Sequence, residues 1–177
     1  MLRTYIPNAL TIARVILIPF ILTSFYYVTP GTINWLGFGL FIIAAVTDFL
    51  DGYLARRWKV ESNFGATLDP IADKVLVSTL LIMLVRHNET DALMVCIIIA
   101  REFIVSSLRE LKSGLLVVSK LGKIKTATQM LAVFFLLLAT KSDSLIFSLG
   151  NLCLYCAAIL SVITCVDYIR IYLRDLR

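Results

Sequence analysis

This chain is short of charge. Only 16% of its 177 residues are Asp, Glu, Lys or Arg and 59% are hydrophobic, where an ordinary globular domain has about a quarter charged. With a mean hydropathy of +0.89, that scarcity excludes a soluble globular domain and describes a membrane protein. Long connectors are missing too. The links TPGTIN, RHNETD and KSDS leave no room for a second folded domain, and there is neither an internal repeat nor a low-complexity tract. A single membrane domain over residues 1–177 is therefore expected. No small-residue cleavage site follows the first apolar run, so that run reads as a membrane span and not as a signal peptide. The one histidine, His87, stands in a connector beside Asn88 and Glu89, where it is expected to be solvated. The four cysteines, Cys96, Cys153, Cys156 and Cys165, all fall inside apolar runs. Cys153 and Cys156 form a C-x-x-C, which in an apolar helix places two small, soft side chains on one face and reads as packing.

What is present is apolar and periodic in length. Runs near Val15 to Val28, Ile33 to Leu50, Ile71 to Val85, Ala92 to Leu108, Thr126 to Thr140 and Leu145 to Val166 approach, with their flanks, the roughly 20 residues a helix needs to cross a bilayer. The expected fold is all-α, an integral membrane bundle of six transmembrane helices. Of seventeen Lys and Arg, the connectors after spans one, three and five hold only Arg86 and Lys141. The positive-inside rule then places both termini and the two basic connectors in the cytoplasm. A net charge of +5 follows from this bias and holds the cytoplasmic rim against anionic headgroups; nucleic acid is not the expected partner.

Against that background one stretch stands out. DFLDGYLARRWKVESNFGATLDPIADK carries Asp48, Asp51, Asp69 and Asp73 at the end of span two and the start of span three. Residues three or four apart share a helical face, so the acids form two pairs that neighbouring helices can turn toward each other. Four carboxylates held together repel without counter-charge. Hard divalent cations supply it, and an oxygen-only donor set selects magnesium, manganese or calcium over zinc. The competing reading of a single acid is structural: Asp69 as a helix cap with Pro70 at the first helical position. A cation transporter also uses membrane aspartates, but transport sites lie near the midplane on broken helices, whereas these acids lie at span ends.

The sequence resembles the CDP-alcohol phosphatidyltransferase family, whose signature is D-x-x-D-G-x-x-A-R, about eight residues, then G-x-x-x-D-x-x-x-D. Here it stands as Asp48, Asp51, Gly52, Ala55, Arg56, Gly65, Asp69 and Asp73, with no departure from the pattern. The resemblance implies attack of an alcohol hydroxyl on the phosphorus bearing diacylglycerol in a CDP-lipid, with CMP leaving. It implies two divalent cations, Mg2+ or Mn2+, held by Asp48, Asp51, Asp69 and Asp73; two cations about 3.5–4 Å apart clamp a pyrophosphate and stabilise the transferring group. Asp73 is implied as the base that takes the hydroxyl proton. Gly52 and Ala55 leave space for the nucleotide, Arg56 offers a guanidinium fork to a phosphate, and Ser62 is a further nucleotide contact. NALTIAR places Asn8, Thr11 and Arg14 as a polar stripe entering an apolar helix, which needs partners; in the family this helix start lies against the nucleotide, so Asn8 and Thr11 are expected contacts.

The acceptor is read from cations. AREFIVSSLRELKSG and SKLGKIKTATQ bring Arg101, Arg109, Lys112, Lys120, Lys123 and Lys125 to the cytoplasmic ends of spans four and five. So many suit a phosphorylated alcohol, and the segments resemble those of family members whose acceptor is glycerol 3-phosphate. Arg109, Lys123 and Lys125 are the expected clamp on its phosphate, and the alternative reading of Arg101 is a buried ion pair with Glu102. The alternatives are the same chemistry with an inositol phosphate or phosphatidylglycerol as acceptor. A homodimer in the plasma membrane, with its active site facing the cytoplasm, completes what the resemblance implies.

Overall fold

The computed structural model describes residues 2–29, 32–58, 63–87, 89–111, 120–139 and 144–174; the side chains of residues 2–8, 54–56, 58, 63–67, 69, 110, 111, 120 and 144 lie outside that description. Among the described residues the regular structure is six α-helices and no strand: α1 (Leu2–Tyr26), α2 (Trp35–Trp58), α3 (Asn63–Arg86), α4 (Ala92–Leu111), α5 (Lys120–Leu138) and α6 (Ser144–Arg174). The helices overrun the apolar runs chiefly at their polar ends. Once an apolar run is helical, each further residue adds a hydrogen bond at little cost, and the flanks are rich in Leu, Ala, Arg and Lys, all good helix formers.

Among the described residues four helices are long and apolar enough to cross a membrane, over Ala9–Tyr26, Trp35–Tyr53, Leu121–Leu138 and Leu145–Arg174. Those α3 and α4 segments that carry Asp69, Asp73 and Lys74, or Arg101, Glu102 and Arg109, are too charged to join them by composition. Large apolar side chains such as Ile16, Phe20, Phe49, Phe103 and Ile159 are exposed, as a lipid-facing surface requires.

The chain divides into two compact units, Met1–Met83 and Leu84–Arg177. In the first, α1 packs against α2. The buried face of α1 is Thr11, Arg14, Ile18, Ile21 and Phe25; that of α2 is Gly37, Phe41, Ala44 and Asp51, with Asp48 half-buried in the same register. These are alternating steps of three and four, the spacing of one helical face. In both helices the stripe is apolar in the middle and turns charged or polar at one end. Asn34 fixes the other end: its Oδ1 accepts the Gly37 N–H at 2.8 Å as an N-cap of α2, while its Nδ2 donates to Ser24 Oγ at 3.0 Å. With Ser24 joined to Asn34 there, and Arg14 to Asp48 and Asp51 at the far end, α1 and α2 run antiparallel.

In the second unit α6 packs on both α4 and α5. Asp91 caps α4, its Oδ1 accepting the Leu93 N–H at 2.8 Å. The α6 stripe is Gly150, Leu154, Ala157, Ser161, Thr164 and Tyr168. A Cβ at Gly150 would stand 2.9 Å from Leu136 Cδ2 and 3.2 Å from the Leu136 nitrogen, so the missing side chain sets how closely α5 and α6 approach.

Two expectations are corrected. His87 is buried, not solvated, and so is Glu89: the Glu89 N–H donates to the Leu84 carbonyl at 3.0 Å and its carbonyl accepts from Asn151 Nδ2 at 3.4 Å, which folds this connector back onto the helix ends. The capping alternative for Asp69 also fails, because α3 starts at Asn63 and Pro70 lies inside it. Pro70 has no N–H to offer the Ala66 carbonyl one turn earlier, so the helix is locally weakened between Gly65 and Asp69 rather than begun there.

Candidate active site

The inward stripes of α1 and α2 end in charge. Arg14 is fully buried, and its Nη1 lies 2.9 Å from Asp48 Oδ1 while its Nη2 donates to Asp51 Oδ2. Asp51 is buried as well, but the Asp48 side chain is 47% exposed. Thr11, one turn before Arg14, is buried on the same face. The arrangement is two carboxylates, one turn apart, converging on one cationic group from the facing helix. One side of the pair stays open to water. Arg14 keeps donors in reserve: its Nε makes no hydrogen bond among the described residues.

Sequence reasoning placed Arg14 in a polar stripe but gave it no partner. The signal was an arginine buried at helical spacing with Thr11; its partners lie 37 residues or so away in sequence, beyond any local pattern. The remaining expected residues of this region are placed as follows. Gly52 is half-buried on α2 and Asp73 is half-buried on α3. Asp73 stands one turn before the buried Leu76 and Val77, on the face that continues through Leu80 and Leu84, and Asp69 occupies the position one turn earlier. Asn8 lies in α1, and Ala55 and Arg56 in α2; their side chains, like that of Asp69, are outside the description, and Ser62 lies outside the described residues altogether. Among the described residues no three His, Cys, Asp or Glu side chains gather as a metal cluster. The donor chemistry of Asp48 and Asp51 nevertheless fits a hard divalent cation: both are carboxylates, they already share one cation, and one is open to solvent.

The second unit holds a separate polar cluster. Lys125, 1% exposed, is paired with Glu102, and Arg101 Nη1 lies 3.4 Å from the same Glu102 oxygen. Arg101 Nη2 donates to Thr164 Oγ1 at 3.0 Å, and Arg109 Nη2 donates to the Tyr168 hydroxyl at 2.7 Å. The pairs Arg101–Thr164 and Arg109–Tyr168 advance in the same direction, so α4 and α6 run parallel. Three cations here face one described carboxylate. Burying charge costs free energy unless it is matched, and among the described residues the carboxylate that matches it here is Glu102, shared by Arg101 and Lys125.

Of the residues expected to clamp the acceptor, Arg109 and Lys125 belong to this cluster and Lys123 does not. Lys123 is exposed, because positions two apart point to opposite sides of a helix. Arg101 pairs with Glu102 as the sequence suggested, but Lys125 shares that carboxylate. Thr164 and Tyr168 were not singled out; Thr164 and Tyr168 lie inside an apolar run or at its edge, where one hydroxyl does not disturb the pattern.

The comparisons converge on one family. The family model described as CDP-alcohol phosphatidyltransferase matches residues 4–163, which takes in Thr11, Arg14, the four aspartates and the cluster as far as Ile163. A CDP-diacylglycerol–glycerol-3-phosphate 3-phosphatidyltransferase of Rickettsia bellii is 43% identical, covering 93% of each chain. Proteins of the same name from Sodalis glossinidius and Haemophilus influenzae are 40% and 43% identical, covering 97% and 94% of this chain and 96% and 92% of their own. With its aspartate signature intact, two of those carboxylates converging at a helix end, and similarity running through both units, the chain belongs to the CDP-alcohol phosphatidyltransferase family.

Proposed function

We propose that this membrane enzyme transfers the phosphatidyl group of CDP-diacylglycerol to glycerol 3-phosphate, giving phosphatidylglycerophosphate and CMP. The observation that carries the acceptor is the cluster of Arg101, Arg109 and Lys125 around a single described carboxylate, Glu102. A phosphate monoester carries close to two negative charges at neutral pH, which suit a cluster of three cationic side chains. Serine or another neutral alcohol would have no use for so many cations. The relatives' names point to the same pair of substrates.

In this reading Asp48, Asp51, Asp69 and Asp73 hold two divalent cations, magnesium or manganese. Ions held there would supply positive charge to the pyrophosphate and to the departing phosphate of CMP. Asn8, Thr11, Gly52, Ala55, Arg56 and Ser62 bind the cytidine diphosphate; the small side chains of Gly52 and Ala55 admit it and Arg56 neutralises a phosphate. Asp73 accepts the proton of the attacking hydroxyl. That oxygen forms the new bond to the phosphorus bearing diacylglycerol, and the phosphorus–oxygen bond to CMP breaks. Arg109 and Lys125 orient the acceptor by its phosphate, and the exposed Lys123 draws the anion toward the rim.

The same reading takes residues 1–177 as a single membrane domain of six spans, with both termini and the active site on the cytoplasmic side of the plasma membrane. The assembly is a homodimer. Lipid tails then stay in the bilayer while the headgroup meets a water-soluble acceptor. The test is CMP release from CDP-diacylglycerol in detergent micelles with glycerol 3-phosphate, inositol phosphate, serine or phosphatidylglycerol. Glycerol 3-phosphate is expected to be preferred by well over tenfold; preference for any other acceptor moves the assignment to that alcohol.

A further inference from the structure

Arg101, Val105 and Arg109 stand at four-residue steps on α4, so they share one face. Tyr168 of α6 covers the middle of that face. Its ring is 3% exposed and forms a buried cluster with Val105, against which Leu108 and Cys165 pack. The guanidinium carbons of Arg101 and Arg109 lie 6.0 and 4.9 Å from the ring centroid, within the range of cation–π attraction. Arg109 Nη2 also donates to the hydroxyl at 2.7 Å. Two like charges that repel are thus gathered around one neutral side chain.

The neutrality is the informative part. A carboxylate in the same place would hold Arg109 as firmly and cancel the charge that an anionic ligand needs. A phenol fixes the guanidinium and leaves its charge unspent. The Nε atoms of both arginines make no hydrogen bond among the described residues, so each keeps a donor while a terminal nitrogen is anchored. Thr164, one turn earlier on α6, likewise offers Arg101 a neutral hydroxyl at 3.0 Å, beside the Glu102 carboxylate that Arg101 shares with Lys125.

We infer that Tyr168 is a positioning residue for the phosphate of the acceptor: its hydroxyl fixes Arg109, and its ring sets the separation of Arg109 from Arg101. It touches neither substrate in this account and acts through the two arginines. The inference rests on the phosphorylated-acceptor reading above.

Tyr168→Phe is the test, because it keeps the ring, its packing and the cation–π contacts and removes only the hydroxyl. A hydrogen bond donated by a guanidinium is worth about tenfold or more, and because Tyr168 acts only through Arg109, the Michaelis constant for glycerol 3-phosphate should rise by a part of that, about five- to tenfold. The inhibition constant of inorganic phosphate against glycerol 3-phosphate should rise in parallel, while the Michaelis constant for CDP-diacylglycerol stays near wild type and the melting temperature falls by no more than a few degrees. Tyr168→Leu, which also removes the ring, should raise the acceptor constant further. If Tyr168→Phe leaves both acceptor-side constants unchanged while Arg109→Ala raises them, Tyr168 is packing alone and the inference is overturned. If Arg109→Ala also leaves them unchanged, the acceptor reading itself is wrong and the inference falls with it.

Discussion

Replacing Arg14 by Gln removes the charge on which Asp48 and Asp51 converge while keeping much of the side chain's bulk. Asp51 is 4% exposed, and taking one partner from a buried ion pair costs about 3–5 kcal/mol. Asp48, with its side chain 47% exposed, is screened by water, so its share is below about 1 kcal/mol. For a chain of this length each kcal/mol is roughly 2–4 °C in melting temperature, so the variant should melt about 6–20 °C below wild type in EDTA. Magnesium should raise the variant more than wild type, because a bound cation replaces the lost counter-charge and stabilises by about 2.7 kcal/mol at a hundredfold excess over its dissociation constant. Thermal unfolding in detergent, with EDTA and with magnesium, reads both effects. A variant that melts with wild type in EDTA, or gains no more than wild type from magnesium, refutes the view that Arg14 balances a cation site.

Chelation by EDTA should abolish CMP release and added magnesium or manganese should restore it; full activity in excess EDTA contradicts the cation assignment. Asp73→Asn keeps size and one oxygen donor but loses basicity, so turnover should collapse while CDP-lipid binding partly survives, as single-turnover and binding assays can separate. Lys125→Ala removes a buried charge-assisted contact worth roughly 1.5–3 kcal/mol and should raise the Michaelis constant for glycerol 3-phosphate tenfold or more. Lys123→Ala, from the exposed side of the same helix, should change it by a few-fold at low salt and less as salt is added.

The aspartates were legible because their spacing is local: 48 with 51 and 69 with 73 repeat the turn of a helix, and the apolar runs beside them fix which segments are helical. The stripes of α1 and α2 then make Asp51 and Arg14 inward-facing by continuing the register of Phe41, Ala44, Ile18 and Ile21. What could not be read was partnership across helices. Arg14 pairs with a different helix, Lys125 shares Glu102 with Arg101, and Tyr168 anchors Arg109 from 59 residues away. Lys123 and Lys125 looked equivalent as a basic pair, yet a helix sends them to opposite sides. His87 looked solvated because its neighbours are polar, but burial there is set by Asn151 reaching the Glu89 carbonyl, a contact from α6.

Glycerol 3-phosphate labelled in its carbon skeleton, supplied with CDP-diacylglycerol and magnesium to the purified protein, tests the central claim most directly. The account predicts that label enters the lipid fraction one-for-one with CMP released, in a product bearing a terminal phosphate. CMP release without lipid label, or lipid formation only with an unphosphorylated alcohol, contradicts it.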